Sequence, residues 1–428
     1  MSSSNIDISG LLRSTKTKGF TMQGAIHELV DNSIDAGASV IKITFRTAGN
    51  ELIIADNGDG MDKATADMCY CIHHDKPASV KNGLFGIGKT VAEGMLSDLA
   101  SLTTTVTRVT GGRLLEITAD WPGSIASGTW NPRSVGASAD YAVPLWDRAA
   151  VTPGHGTIAV VNMTPAGFTE VTSNIASLCR VLSYTYQDVA GVDIQVWLDG
   201  VRQETDMSDT LGWSAARPRE RNEVSLEAWT KPGEETIVFH TEGAAWVRFN
   251  HGVPNPGTAA RIADYATMAE RGYTRVAGLR LRSVYNPAWN PPGEKEEIGY
   301  LSFARNLRHL ARIINVPPTH GNMDRRRYLA TTRHALYYDY NADSLLKTEG
   351  NKSNVTSANV DKVLLAVVRL LARKWVDSYY MAYGPDDDGN AEGDGKPSAA
   401  TVKEFKRMYT NAAWRTAYER LVAQVPIA

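Results

Sequence analysis

Two polar side chains stand four residues apart in the stretch Glu28-Leu-Val-Asp31-Asn32-Ser-Ile-Asp35-Ala36. On a helix that spacing puts Glu28 and Asn32 on one face. A carboxylate within reach of a water can act as general base, and a neutral amide oxygen can complete the oxygen shell of a Mg²⁺ shared with phosphates. Taken alone, such a pair is more often a solvated polar helix face. Further along, Asp56-Asn57-Gly58-Asp59-Gly60-Met61 offers a carboxylate able to accept a hydrogen bond from an adenine amino group, with Gly58 and Gly60 letting backbone and base approach. A glycine-rich turn accounts for the same residues at least as well.

Gly83-Leu-Phe-Gly86-Ile-Gly88-Lys89-Thr90 presents successive backbone amides and a helix start, a combination that binds phosphate oxygens. Its letters also satisfy the P-loop pattern G-x-x-x-x-G-K-[ST]. A P-loop needs a buried hydrophobic strand just before its first glycine, whereas His74-Asp-Lys-Pro-Ala-Ser-Val-Lys-Asn82 is polar and holds a proline. The P-loop reading is therefore set aside. Cys69-Tyr-Cys71-Ile-His73-His74 holds zinc-ligand residue types, but at a spacing that fits no structural zinc pattern, and ordinary packing is preferred.

The elements needed to position these residues are legible in the hydrophobic pattern. Apolar residues Met22, Ala25, Ile26, Leu29, Val30 and Ile34 recur at helical spacing, predicting a helix over residues 21–36 that ends at Gly37. Strands are expected at 40–45 and 51–55 as a hairpin, then a helix at 89–99, strands at 102–109, 114–118 and 157–161, a helix at 170–187 and a strand at 192–198. One face of that sheet should be covered by helices. Beyond residue 200, strands at 236–240, 245–249, 276–284 and 299–304 suggest a second α/β domain. A helix over 360–383 follows, then an acidic, glycine-rich stretch at 385–397 that reads as a linker, and a last helix over 399–424.

With 428 residues, 43% of them hydrophobic, the chain has enough material for two domains and appended helices. A net charge of −2 gives no global attraction to a phosphate backbone, so any nucleic-acid role must rest on local basic clusters. Such clusters occur at Arg217-Pro-Arg219-Glu-Arg221, Arg305-Asn-Leu-Arg308-His309, Arg325 to Arg327 and Lys403-Glu-Phe-Lys406-Arg407. Each is more often just solvated surface. Three cysteines are too few for a disulfide framework and fit a reducing cytoplasm. Neither a leader pattern nor a run of about 20 apolar residues is evident, so a cytoplasmic protein with no membrane partner is expected.

The order of these signals carries more than any one of them: helix with Glu and Asn, hairpin, Asp-x-Gly-x-Gly, loop, Gly-x-x-Gly-x-Gly, helix, then Gly156-Thr157 opening a strand. Throughout residues 20–200 this arrangement resembles the GHKL ATPase superfamily, which groups MutL, gyrase B subunits, MORC proteins and a heat-shock chaperone. The resemblance implies an α+β fold: a GHKL (Bergerat) ATPase sandwich, followed by an S5-like α/β transducer domain and C-terminal helices. It implies ATP and Mg²⁺ as ligands, Glu28 as general base, Asn32 as magnesium ligand and Asp56 as adenine reader. Gly58, Gly60, Met61 and Thr157 would line the nucleotide, and Gly83, Gly86, Gly88 and Lys89 would belong to a lid over the phosphates.

Two later stretches narrow the resemblance. Glu297-Ile-Gly-Tyr-Leu-Ser-Phe-Ala-Arg305-Asn306 resembles the strand and Arg-Asn turn of transducer domains in MORC and MutL-type proteins. Gly350-Asn351-Lys352-Ser353 is similar to the Asn-Lys-Gln of MORC proteins, with serine in place of glutamine, and implies that Lys352 reaches the γ-phosphate; Lys347 is its nearest rival. The implied domain plan is an arm at 1–19, an ATPase domain at 20–200, a transducer at 201–355, a helix at 356–384, a linker at 385–398 and a final helix at 399–428. The implied function is an ATP-dependent homodimeric clamp, with DNA and a nuclease or other effector subunit as candidate partners. An ATPase subunit of a type II topoisomerase and a chaperone are the alternatives. The first would need a cleavage partner that this sequence does not supply, and the second larger client-binding domains.

Overall fold

The structure, a computed structural model, describes residues 21–70, 88–130, 132–205, 211–230, 237–241, 244–248, 272–285, 301–313 and 332–342, with single positions at 10, 14, 270, 364, 368, 371, 372 and 375. The chain divides into two units, Met1–Ser208 and Asp209–Ala428. The first unit runs α1 (Met22–Asp35), β1 (Val40–Arg46), β2 (Glu51–Asp56), α2 (Lys63–Met68), α3 (Gly88–Leu96), β3 (Leu102–Arg108), β4 (Leu115–Asp120), α4 (Trp121–Ser127), β5 (Arg133–Gly136), α5 (Ala142–Ala149), β6 (Gly156–Asn162), α6 (Pro165–Thr172), α7 (Ile175–Tyr186), β7 (Asp193–Leu198) and β8 (Val201–Gln203).

Helix α1 starts where Thr21 stands as N-cap, its hydroxyl accepting from Gly24 N at 3.0 Å. Such a cap stabilises a helix by about 1 kcal/mol. The eight strands form one sheet in the order β5-β4-β3-β6-β2-β1-β7-β8. All neighbours are antiparallel except β1 and β7. Alternation along the strands sorts the core: Ile41, Ile43, Phe45, Leu52 and Ile54 pack against Ile26, Leu29 and Val30 of α1, Val91 and Leu96 of α3, and Leu178 and Leu182 of α7.

The opposite face is not bare, contrary to the expectation of a single covered face. Ile53, Ala55, Val106, Ile158 and Val160 meet Ala142, Leu145 and Trp146 of α5. That helix carries Pro144 in its first turn, where the missing N–H costs no intrahelical bond. Two boundaries also differ from the sequence pattern. The expected helix at 170–187 is a pair, α6 and α7, broken at Asn174, whose φ of −126° and ψ of 38° are non-helical. The helix expected to reach residue 99 stops at Leu96, and Ser97 instead bridges to Met163.

The second unit holds β9 (Arg221–Thr230), β10 (Ile237–Thr241), β11 (Ala244–Arg248), β12 (Thr274–Tyr285), β13 (Leu301–Arg305), β14 (Arg308–Ile313) and β15 (Thr332–Tyr338). They form a sheet in the order β11-β10-β9-β12-β15-β13-β14, with β13 and β15 parallel and the rest antiparallel. Asn306 (φ 47°) and Leu307 (φ 69°) make the two-residue turn between β13 and β14, the geometry that matches strand twist. Leu364, Val368 and Ala372, four residues apart, are fully buried, and Trp375 meets the ring of His334 edge-on. The fold class is thus α+β, with helices and a large mixed sheet in the first unit and a second mixed sheet after it. Apart from Gly10 and Ser14, the N-terminal arm lies outside the described residues, as do the acidic linker and the C-terminal helix.

Candidate functional site

Glu28 and Asn32 occupy successive turns of α1, and the Glu28 side chain is buried. Helix α3 begins directly against it. A Cβ added to Gly88, its first residue, would lie 2.6 Å from Glu28 Oε2, so a larger residue there would have to displace the Glu28 carboxylate. The start of a helix favours nearby negative charge, and here that charge is a carboxylate. Asn32 Nδ2 is buried without a hydrogen-bond partner, as is the Thr90 hydroxyl two residues into α3. Buried polar atoms of this kind are rare unless a ligand completes them. An amide with spare hydrogen-bonding capacity one turn beyond a buried carboxylate fits a Mg²⁺–phosphate group.

Asp56 ends β2 and is buried. Its Oδ2 accepts from Ser33 Oγ at 2.8 Å and its Oδ1 from Gly58 N at 2.9 Å. Burial pushes its carboxyl above the usual range, and the bonds from Gly58, Ser33 and the Thr157 backbone, with the Lys89 cation, pull the other way. Asp56 pairs across the ladder with Thr157 of β6, which brings two positions about a hundred residues apart to one strand end. The loop that follows Asp56 is stitched down: Asp59 N donates to Ala36 O at 2.8 Å, and Met61 N donates to Thr107 Oγ1 at 2.9 Å. Gly60 has φ +72°, and a Cβ there would lie 2.0 Å from Arg108 O. Glycine is the sole residue that fits.

Strand β3 forms the neighbouring wall. Thr103, Thr105 and Thr107 are fully buried on one face of it. Thr103 accepts from Trp121 Nε1 at 2.7 Å, Thr105 from Lys89 Nζ at 2.8 Å, and Thr107 from Met61 N while donating to Gly156 O at 3.0 Å. On the other side of the loop, His155 Nδ1 lies 2.8 Å from Gly58 O.

The structure therefore gathers Asp56, Gly58, Gly60, Met61 and Thr157 at one corner and sets Glu28 against Gly88, with Asn32 one helical turn on. Lys89 is placed differently from the others: its ammonium meets Glu93 and Thr105. Gly83, Gly86, Lys347 and Lys352 lie outside the described residues, as do Cys71, His73 and His74. Ser33, Thr107 and His155 belong to the corner and carried no sequence signal, although Ser33 sits within the Glu-to-Asn helix.

Residues 20–130 match the family model described as Histidine kinase-, DNA gyrase B-, and HSP90-like ATPase. That segment of the first unit is similar to the GHKL superfamily. Curated relatives of the chain include the DNA mismatch repair protein MutL of Porphyromonas gingivalis, 40% identical over 63 residues, which is 14% of this chain and 10% of that protein. MutL of Chlorobium chlorochromatii is 53% identical over 45 residues, 10% of this chain and 7% of that protein. The matched segments span about a tenth of these relatives' length. Among solved structures, one described as the N-terminal domain of a DNA repair protein aligns with 83% of this chain and 93% of its own at a TM-score of 0.43 and 16% identity. Among the described residues, no helix is long and apolar enough to cross a membrane.

Proposed function

We propose that the chain hydrolyses ATP with Mg²⁺ and acts as an ATP-dependent homodimeric clamp of the MORC and MutL kind, with DNA as the object clamped. The observation that supports this best is the buried Glu28 carboxylate set against the first residue of α3, beside the Asp56 corner. In this reading Asp56 accepts a hydrogen bond from the adenine amine, with Gly58, Gly60, Met61 and Thr157 around the base. Glu28 orients a water and takes its proton as the water oxygen bonds to the γ-phosphorus and the bond to the β-phosphate oxygen breaks. Asn32 and the phosphates would hold Mg²⁺, which when bound neutralises phosphate charge. Residues 83–87, ahead of α3, close over the phosphates as a lid.

Lys352 is proposed to reach the γ-phosphate and so couple nucleotide state to the second unit, read here as an S5-like transducer. Only ATP then favours the closed dimer, because a ligand shifts an equilibrium only through its different contacts with the two states. An effector subunit such as a nuclease would act downstream. Light scattering at matched concentration tests the clamp: dimers are expected with a non-hydrolysable ATP analogue and not with ADP. Lys352→Ala should stay monomeric with the analogue while Lys347→Ala dimerises. A parent that is monomeric under every condition removes the clamp. Asn32→Ala should weaken Mg-ATP binding, and unchanged binding by calorimetry would remove its proposed role.

A further inference from the structure

Glu93, on the second turn of α3, is fully buried, where an ion is costly unless its partners are good. Both of its oxygens are taken: Lys89 Nζ donates to Oε1 and the Tyr70 hydroxyl donates to Oε2. Lys89 is itself fully engaged. Besides Glu93 it donates to Thr105 Oγ1 at 2.8 Å, and its ammonium lies 5.0 Å from the centre of the Tyr70 ring. Tyr70 is held through its hydroxyl, carbonyl and ring, since Trp130 Nε1 also donates to its carbonyl at 2.9 Å and the two rings meet edge-on at 5.9 Å.

The chain positions of these residues matter. Tyr70 immediately precedes the segment 71–87 and Lys89 follows it by two residues, so a single carboxylate on α3 joins the residues that flank that segment, and Lys89 adds a bond to Thr105 of β3. We infer that Lys89 is a positioning residue, the counter-ion of Glu93 in a clamp with Tyr70 that fixes the start of α3 against Glu28, and not a ligand of the phosphates. Moving Lys89 to a phosphate would strand the Glu93 charge in a buried site. Swinging away would also forfeit the Thr105 bond and the Tyr70 ring. The lysine of the P-loop spelling, Lys89, thus faces inward to Glu93 and Thr105. The inference deepens the proposed ATP site and rests on it only for the consequence at Glu28.

A double-mutant cycle on the full chain tests it, with Lys89→Met, Glu93→Gln and the double variant. Each is unfolded in urea without nucleotide and titrated with ATP and ADP. Lys89→Met should lower the folding constant about a hundredfold to several-thousandfold, because it leaves an unpaired buried carboxylate. The double variant should recover most of that loss and bind ATP within a few-fold of the parent. If Lys89→Met fails to fold, the double variant still decides, since folding with near-parent ATP affinity supports the clamp. A folded double variant that has lost tenfold or more in ATP affinity, with ADP affinity kept, makes Lys89 a phosphate ligand and overturns the inference. Should the parent bind no nucleotide, the ATP reading fails, and the ligand-free cycle still decides the clamp: coupling under about twofold overturns it.

Discussion

Replacing Asp56 by asparagine separates recognition of the base from stability of the scaffold. Gly58 N, at 2.9 Å from Oδ1, can only donate, so the carboxamide must keep its oxygen there. The new NH₂ then faces Ser33 Oγ at the 2.8 Å site, where the hydroxyl can turn to accept. Its own proton has an outlet in Leu29 O at 3.3 Å. The ligand-free fold thus keeps its bonds. Burial raises the Asp56 carboxyl, so the folded chain holds that proton to higher pH than the unfolded chain does. The stability this gives is present at low pH and lost as pH rises through the raised value, which means that ionised Asp56 lowers stability at neutrality. Asparagine removes that burden, and the ligand-free variant should unfold at or above the parent's midpoint at pH 7. Binding should suffer, because an NH₂ now stands where an adenine amine needs an acceptor. A buried donor facing a donor costs about 1–3 kcal/mol, or about five- to 150-fold in Kd, for ATP and ADP alike. Calorimetric titration and a urea melt measure both quantities. Unchanged affinity, or a loss confined to ATP, refutes the adenine role, and a melt that falls together with affinity would mean structural damage instead.

Three further outcomes follow from the same geometry. Glu28→Ala should bind ATP much as the parent does while turnover drops about a hundredfold to ten-thousandfold, and hydrolysis at the parent rate in a phosphate-release assay would unseat it as the base. Gly88→Ala places a methyl 2.6 Å from Glu28 Oε2, so kcat should fall about a hundredfold with ADP affinity held within a few-fold; steady-state kinetics showing the parent kcat would contradict the close approach. Burial holds the His334 imidazole down to about 3. Its folded value is depressed, so the stability of staying neutral is present above about 6.5 and is lost at about 1.4 kcal/mol per pH unit as pH falls toward 3. His334→Gln should flatten the pH dependence of urea unfolding between pH 6 and 4, and an unaltered slope would show that other groups set it.

Much of the first unit was readable because its signals are local. Helical spacing from Met22 to Ile34, alternation in β1 and β2, and the Asp-x-Gly-x-Gly run each fix an element within a dozen residues. The corner that Asp56 shares with Thr107, His155 and Thr157 depends on strand neighbours far apart in the chain, which no local pattern encodes. Helix α5 was hidden by Pro144, which reads as a breaker unless its place in the first turn is known. Strand β9 was obscured because Glu223 and Glu227 occupy its outward positions and pair with Arg282 and Arg275 of β12. The Lys89–Glu93 spacing stands in plain sight, but its burial does not, so the lysine pattern pointed toward phosphate.

The three threonines of β3 tie the assembly of the site to the register of an entire strand. Because they recur every second residue and serve Trp121, Lys89 and Met61, sliding β3 by one position would turn all three hydroxyls to the far side at once. Half-formed versions of this corner are therefore poor competitors, and the unit has little to gain from opening there alone. Occupancy of the corner should then be felt as a rise in the unfolding temperature of the whole unit, growing with the logarithm of ligand concentration, in place of the quenching of one loose loop.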